Sequence, residues 1–399
     1  MSHWYFQKNN KTIGPLTDYE LRTLYKRKEL SAETKVKQEE NGEWLLLKDS
    51  PIFQTIHESH GPHDTSKGPK KEANHHPHEK NGAQHLGLGD IFADVFKKHP
   101  KSDSEKVFIA GTTYTTPKEG DIASSWTRPF LFSRVFFALA ITYLLLLACT
   151  YIFSNSNTIP GLMVIGSFTM PFSVLVLFFE INAPRNISFF DVLKMFFIGG
   201  VAALVATLIL YDVIPVGQLN YFNAFLVGII EETGKMVIVA LFIVALKPKY
   251  ILNGLLIGAA VGAGFAAFES LGYAFNYSIE VAAVFKNLQF AGDTMLNIIF
   301  SRGWQSIGGH VVWAAISGAA LMIAKGSDPK LQMRHIFTGR FLSLFIIPIG
   351  LHFLWDCPWN PLPQIAFKQI LLIVVVWIVI FSLINKGLRQ ISGEKPAKA

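Results

Sequence analysis

From residue 131 onward the chain is a succession of apolar runs, each near the length of a membrane-spanning helix and separated by short polar connections. Lipid tolerates only helices or closed barrels, because every backbone polar group must find its partner inside the protein. Eight spans are expected, near 131–153, 161–180, 190–211, 219–245, 250–274, 294–324, 337–356 and 366–386. The sixth is too long for one straight crossing, so a preceding helix, a tilt or a break around Gly308-Gly309 is expected. The first 130 positions are polar by contrast, and the chain has 50% hydrophobic residues, 16% charged residues and 33 Phe, a composition foreign to a single soluble domain. The fold class expected is an all-α polytopic membrane protein preceded by a small α+β cytoplasmic domain.

Basic residues give the orientation. Lys97, Lys98, Lys101, Lys106, Lys118, Arg128 and Arg134 precede or open the first span, whereas the loop at 155–160 carries no charge. Lys247 and Lys249 follow the fourth span, Lys325, Lys330, Arg334 and Arg340 join the sixth to the seventh, and Lys386, Arg389, Lys395 and Lys398 close the chain. Alternate connections are basic, so both termini are expected in the cytoplasm. The formal net charge of +7 is thereby assigned to membrane orientation, with no nucleic-acid partner expected. The opening MSHWYFQKNN lacks the basic and apolar pattern of a signal peptide, so entry into the membrane is expected at a later helix. Cys149 and Cys357 make no metal spacing and read as small buried hydrophobes.

Residues 1–55 read as a compact module. Trp4, Tyr5 and Phe6 suit a strand, Asn9-Asn10-Lys11 a turn, and Gly14-Pro15 punctuates the chain. Leu21, Leu24 and Tyr25 follow at helical spacing, with Thr17 and Glu20 placed as a capping pair. A second strand pair is expected at Thr34–Val36 and Trp44–Leu47, joined by Asn41-Gly42. Residues 56–130 read as a linker and juxtamembrane segment. Its first part is rich in His57, His60, His63, His75, His76, His78 and His85, and a solvated tether accounts for that tract better than metal capture. Short ordered pieces are expected at Ile91–Phe96 and Val107–Ile109. The membrane domain covers 131–386 and a basic tail 387–399.

Inside the apolar runs sit ionisable residues. Such groups cost about 2.5 to 3.5 kcal/mol at mid-bilayer on insertion scales and mark functional sites by default. Glu231, Glu232 and Lys235 interrupt the fourth span, Glu269 the fifth, His310 the sixth, and His352 with Asp356 the seventh. One helical turn separates Glu231 from Lys235, so those two are expected to face each other, with Glu232 about 100° away. Asp356, one turn after His352, can orient its imidazole. Gly254, Gly258 and Gly262 form a small-residue stripe that should bring Glu269 close to neighbouring helices. Two histidines and several carboxylates can activate water and stabilise charge on a carbonyl, or they can hold zinc. Neither HExxH nor GxSxG occurs. Buried Glu, Asp and His also build proton pathways, so a transporter is a second reading and a noncatalytic scaffold a third.

Two resemblances narrow these readings. Trp4-Tyr5, Gly14-Pro15, Leu21, Leu24 and Trp44 make the first 50 residues resemble the GYF-like domain in its second variant, which implies binding of a peptide, often proline-rich, at residues 1–55. EETGK at 231–235, FAAFE at 265–269, His310 and HFLWD at 352–356 resemble, as an ordered set, the PrsW family of intramembrane proteases within the CAAX prenyl endopeptidase-like clan. The resemblance implies a multi-pass bacterial cytoplasmic-membrane enzyme that hydrolyses membrane-associated proteins, including regulators that hold a sigma factor inactive. It implies a catalytic set of Glu231, Glu232, Glu269, His310, His352 and Asp356, with the water-activating carboxylate among the first two. It implies a centre that is either glutamate-type or zinc-holding, the zinc then expected on Glu232, Glu269, His310 and His352. Prenyl endopeptidases carry FxxxH and HxxxN where this chain has FxxxE and HxxxD, which counts against a farnesylated substrate and makes the centre more acidic.

Overall fold

The computed structural model describes residues 4–8, 11–16, 21, 24–25, 30–38, 43–50, 52–53, 88–122 and 128–393. The turns at Asn9-Asn10 and Asn41-Gly42, the Thr17/Glu20 cap, the His-rich tract and the tail lysines Lys395 and Lys398 lie outside these residues. The chain divides into two compact units, Met1–His78 and Glu79–Ala399.

The first unit is built on a four-stranded antiparallel sheet of β1 (Trp4–Lys8), β2 (Lys11–Leu16), β3 (Lys35–Gln38) and β4 (Leu45–Leu46), in the order β2-β1-β3-β4. Period-two alternation sends Trp4 and Phe6 to one face, where they bury with Leu21, Leu30, Val36, Leu47 and Ile52. Tyr5 falls on the other face, and Lys37 Nζ lies 5.5 Å from its ring centroid and 5.2 Å from that of the exposed Trp44. The aromatics are therefore divided, Trp4 filling the core and Trp44 left at the surface.

In the second unit, α1 (Leu88–Phe92) and α2 (Lys101–Phe108) precede the long helices. These are α3 (Leu131–Tyr151), α4 (Ile159–Ile181), α5 (Phe189–Val213), α6 (Tyr221–Leu246), α7 (Ile251–Phe285), α8 (Leu288–Gln305), α9 (His310–Lys325), α10 (Gly339–Asp356) and α11 (Phe367–Ser392). Among the described residues seven segments are long and apolar enough to cross a membrane, with α8 and α9 together forming one of them. The remaining expected span, 219–245, is α6, a 26-residue helix that carries Glu231, Glu232 and Lys235.

Helix α7 runs through the centre, and its first half, residues 251–267, is wholly buried. Its glycines explain how. A Cβ on Gly254 or Gly258 would collide with the backbone of Gly318 or Ala314 on α9, and one on Gly264 with the Phe196 carbonyl on α5. Backbones in contact on two sides of α7 leave the larger residues to fill the periphery. In α5 the passing stretch Met195–Gly199 is a π-helical turn, the kind of local widening that accommodates such contacts.

The sixth expected span is broken where the glycines lie. α8 ends at Gln305, Ser306–Gly309 are not α-helical, and α9 starts on His310. Trp377 Nε1 of α11 donates to the Ile307 carbonyl at 2.9 Å, satisfying a backbone group that the break releases. Two buried charges serve helix ends in the same way. Glu180, at the end of α4, accepts from the backbone N–H groups of Phe130, Leu131 and Phe132 at 2.9, 2.8 and 2.8 Å, neutralising the amino terminus of α3. Lys368 Nζ donates to the carbonyls of Trp355 and Cys357 at 2.7 and 2.9 Å, closing the carboxyl end of α10.

Candidate active site

Helix α6 supplies Glu231, Glu232 and Lys235 within one turn. Lys235 and Glu232 are fully buried, with Lys235 Nζ 2.7 Å from Glu232 Oε1 and 3.7 Å from Glu231 Oε2. The expected Glu231–Lys235 pair is thus the looser of the two. Positions i,i+3 and i,i+4 both share a helix face, and tertiary packing chooses between them. Here Glu232 is also held by His352 Nδ1 at 2.9 Å, so it faces the bundle interior. Glu231 instead faces a cavity of about 210 Å³, lined also by Glu269, Arg302, His310, His352 and Asp356.

The histidines approach from two other helices. His310, at the first position of α9, has Nδ1 2.8 Å from Lys235 Nζ and Nε2 3.0 Å from Glu269 Oε2. His352 on α10 has Nε2 3.3 Å from Asp356 Oδ2 and 3.7 Å from Glu231 Oε2. The imidazole centroids are 5.2 Å apart. Trp313 packs 4.6 Å from His352, and the Lys235 ammonium lies 4.5 Å from the centroid of Phe265. Apolar rings on the remaining sides raise the strength of every charge interaction within.

All six carboxylate and imidazole residues singled out from the sequence meet here. Three contributors had no such signal. Tyr211, near the end of α5, donates its hydroxyl to Glu231 Oε1 at 3.1 Å. Arg302 of α8 pairs with Glu269, donates Nε to Ser270 Oγ at 3.0 Å, and stacks 4.4 Å from the Tyr273 centroid. Trp313 completes the wall. An arginine in a long apolar segment was the one available clue.

Three of the donors are close enough together to hold a metal. Glu231, His310 and His352 each offer one ligand atom, all within 4.8 Å of one another. Glu231 Oε2 is buried without a hydrogen-bond partner, and Glu232 fixes His352 from its far nitrogen, the outer-carboxylate arrangement common around metal sites. Glu232 and Glu269, expected as ligands, are engaged instead by Lys235 with His352 and by Arg302 with His310.

Residues 190–384 match the family model described as PrsW family intramembrane metalloprotease. This part of the chain is similar to the PrsW family. Residues 4–53 match GYF domain 2, so both resemblances read from the sequence hold. No curated protein and no solved structure matches the chain. Every residue of the polar cluster lies inside the matched segment, as do Tyr211, Arg302 and the cap Lys368. Helices α1 to α4, with Glu180, lie before it.

Proposed function

We propose that the protein is an intramembrane endopeptidase of the PrsW type that hydrolyses membrane-associated proteins in regulatory proteolysis, with the chemistry at the Glu231–His352 cavity. The observation that carries this is the convergence of Glu231, Glu269, His310, His352 and Asp356, from four helices, on one small polar cavity. Glu231 Oε2, an acceptor with no hydrogen-bond partner, orients water and takes its proton as the oxygen attacks the scissile carbonyl carbon. His310 and Tyr211 line the cavity in which negative charge develops on the carbonyl oxygen, Tyr211 through its bond to Glu231 and His310 between Lys235 and Glu269. The proton then passes to the leaving amine nitrogen as the C–N bond breaks. Asp356 and Glu232 hold the His352 ring from its two nitrogens, while Arg302 and Lys235 balance the surplus of carboxylates. In place of that base role, Glu231 would with His310 and His352 hold zinc, which would polarise the carbonyl and acidify water.

The orientation gives the side of cleavage. Lys247 and Lys249 after α6, and Arg334 and Arg340 before α10, belong to the end of the bundle that the charge rule assigns to the cytoplasm of a bacterial inner membrane. Leu219, in the α5–α6 connection, and Asp356, the last residue of α10, line the cavity and belong to the opposite end. We therefore assign cleavage to the extracytoplasmic half of the bilayer, with both termini cytoplasmic. Tyr5 and Trp44 on the first unit support docking of a proline-rich peptide there.

The test compares membrane-protein fragments, with new termini sequenced by mass spectrometry, in cells holding wild type or Glu231→Gln at equal abundance. Fragments confined to wild type, with termini mapping to extracytoplasmic ends of spans, are expected. Identical fragment sets would remove the protease reading.

A further inference from the structure

A second cavity, of about 460 Å³, has Ile307 of the Ser306–Gly309 break in its wall, where Ser306 and Gly309 line the catalytic one. Its walls come from α1, α3, α4 and α11, and include Phe92, Phe132, Phe137, Leu177, Ile307 and Phe381. Only apolar surface lines it. The Ser173 hydroxyl in its wall is already donated to the Thr169 carbonyl at 2.6 Å, so nothing inside asks for a polar ligand. An apolar cavity of about 150 Å³ in a soluble protein stays dry and takes up benzene, and this one is roughly three times larger. Phe137, Phe92 and Phe96 at its edge are exposed, which opens it toward the surface that faces hydrocarbon tails.

The residues that adjoin its wall in sequence are basic in excess. Arg134 follows the wall residues Phe132 and Ser133 on α3, stacks 4.9 Å from the Phe130 centroid, and reaches Ser104 Oγ at 3.4 Å. Lys97 and the exposed Lys98 follow the wall residue Phe96, and Arg128 precedes α3. Asp94 is the acidic counterweight, 2.6 Å from Lys97 Nζ and 3.8 Å from Arg128 Nη1. The charge rule puts these residues at the cytoplasmic interface, where anionic headgroups lie.

We propose that this cavity is a binding site for one anionic phospholipid, an acyl chain entering between Phe137 and Phe381 and the phosphate resting between Arg134 and Lys98. The chain packs on Ile307, whose carbonyl is already held by Trp377, while the adjoining Ser306 and Gly309 line the catalytic cavity. The bound lipid thus supports the break that presents His310. Half of the site, on α1, α3 and α4, lies before the matched segment.

The test uses full-length wild type reconstituted with a trace of phosphatidylglycerol carrying a mid-chain diazirine. Photolysis should label peptides from α3, α4 or α11 that contain the cavity walls, and excess unlabelled phosphatidylglycerol should compete about tenfold better than phosphatidylcholine. Arg134→Gln should keep the labelling and lose that preference. Ser173→Phe and, from the α11 side, Phe381→Trp should abolish the labelling by filling the space. Labelling spread evenly over the lipid-facing helices, or equal competition by the two lipids with wild type, would overturn the proposal.

Discussion

Lys235 Nζ stands 2.7 Å from Glu232 Oε1 and 2.8 Å from His310 Nδ1, so one ammonium, fully buried, joins the carboxylate that anchors His352 to the other histidine of the site. Removing one member of such a buried pair leaves an uncompensated charge and costs about 3 to 5 kcal/mol. Lys235→Met and Glu232→Gln should each lower the thermal unfolding midpoint of the purified protein. The double variant should lie closer to wild type than the sum of the singles, and strict additivity would show that the two side chains do not interact.

Tyr211 holds one oxygen of Glu231 and leaves the other facing the cavity. A hydrogen bond to a charged group contributes about 1.5 to 3 kcal/mol. Tyr211→Phe should keep the fold and reduce turnover of a substrate identified by fragment mapping by roughly tenfold or more, mostly in kcat. Unchanged turnover would place Tyr211 outside the reaction.

The Glu231, His310 and His352 donors predict about one equivalent of zinc in protein purified without chelator, by elemental mass spectrometry. Glu231→Gln and His352→Ala should lose it, whereas Asp356→Asn should keep most of it. A metal-free wild type that still hydrolyses substrate would assign the reaction to the carboxylates alone.

Gly258 admits the Ala314 carbonyl where a Cβ would stand, and Gly272 meets nothing within 4 Å. Gly258→Ala should destabilise the protein by about 1 to 3 kcal/mol through forced separation of α7 and α9. Gly272→Ala, also on α7, should be neutral or slightly stabilising. Equal effects on the unfolding midpoint would contradict the packing.

Asp328, in the α9–α10 connection, accepts from His335 at 2.8 Å and Arg334 at 2.6 Å, and these bonds hold its carboxyl below the ordinary carboxylate range. Because the folded value is the depressed one, its contribution is present above about pH 4 and is lost as pH falls through that lower value. Hydrogen exchange at residues 329–338 should accelerate on acidification in wild type and lose that pH step in Asp328→Asn. A step that persists in the variant would assign it to another group.

Much of this arrangement is legible in the linear chain. Apolar run length places the helices to within a few residues, except that α8 begins before the expected 294 and α7 and α11 extend beyond the expected 274 and 386. Charge in an apolar run is costly enough that Glu231, Glu232, Lys235, Glu269, His310, His352 and Asp356 could be marked without knowing their neighbours. The glycines pointed to a close approach of α7 to its neighbours and, with a preceding helix or a tilt as alternatives, to a break around Gly308-Gly309, because a missing Cβ and a released backbone are local properties. Helical periodicity does not fix the rotation of one helix against another. That rotation turned Glu232 inward and Glu231 to the cavity, and it brought Tyr211 and Arg302, ordinary residues in sequence, onto Glu231 and Glu269. Contacts such as His352 with Glu232 join residues 120 positions apart, where only the packed bundle determines which side chains can meet.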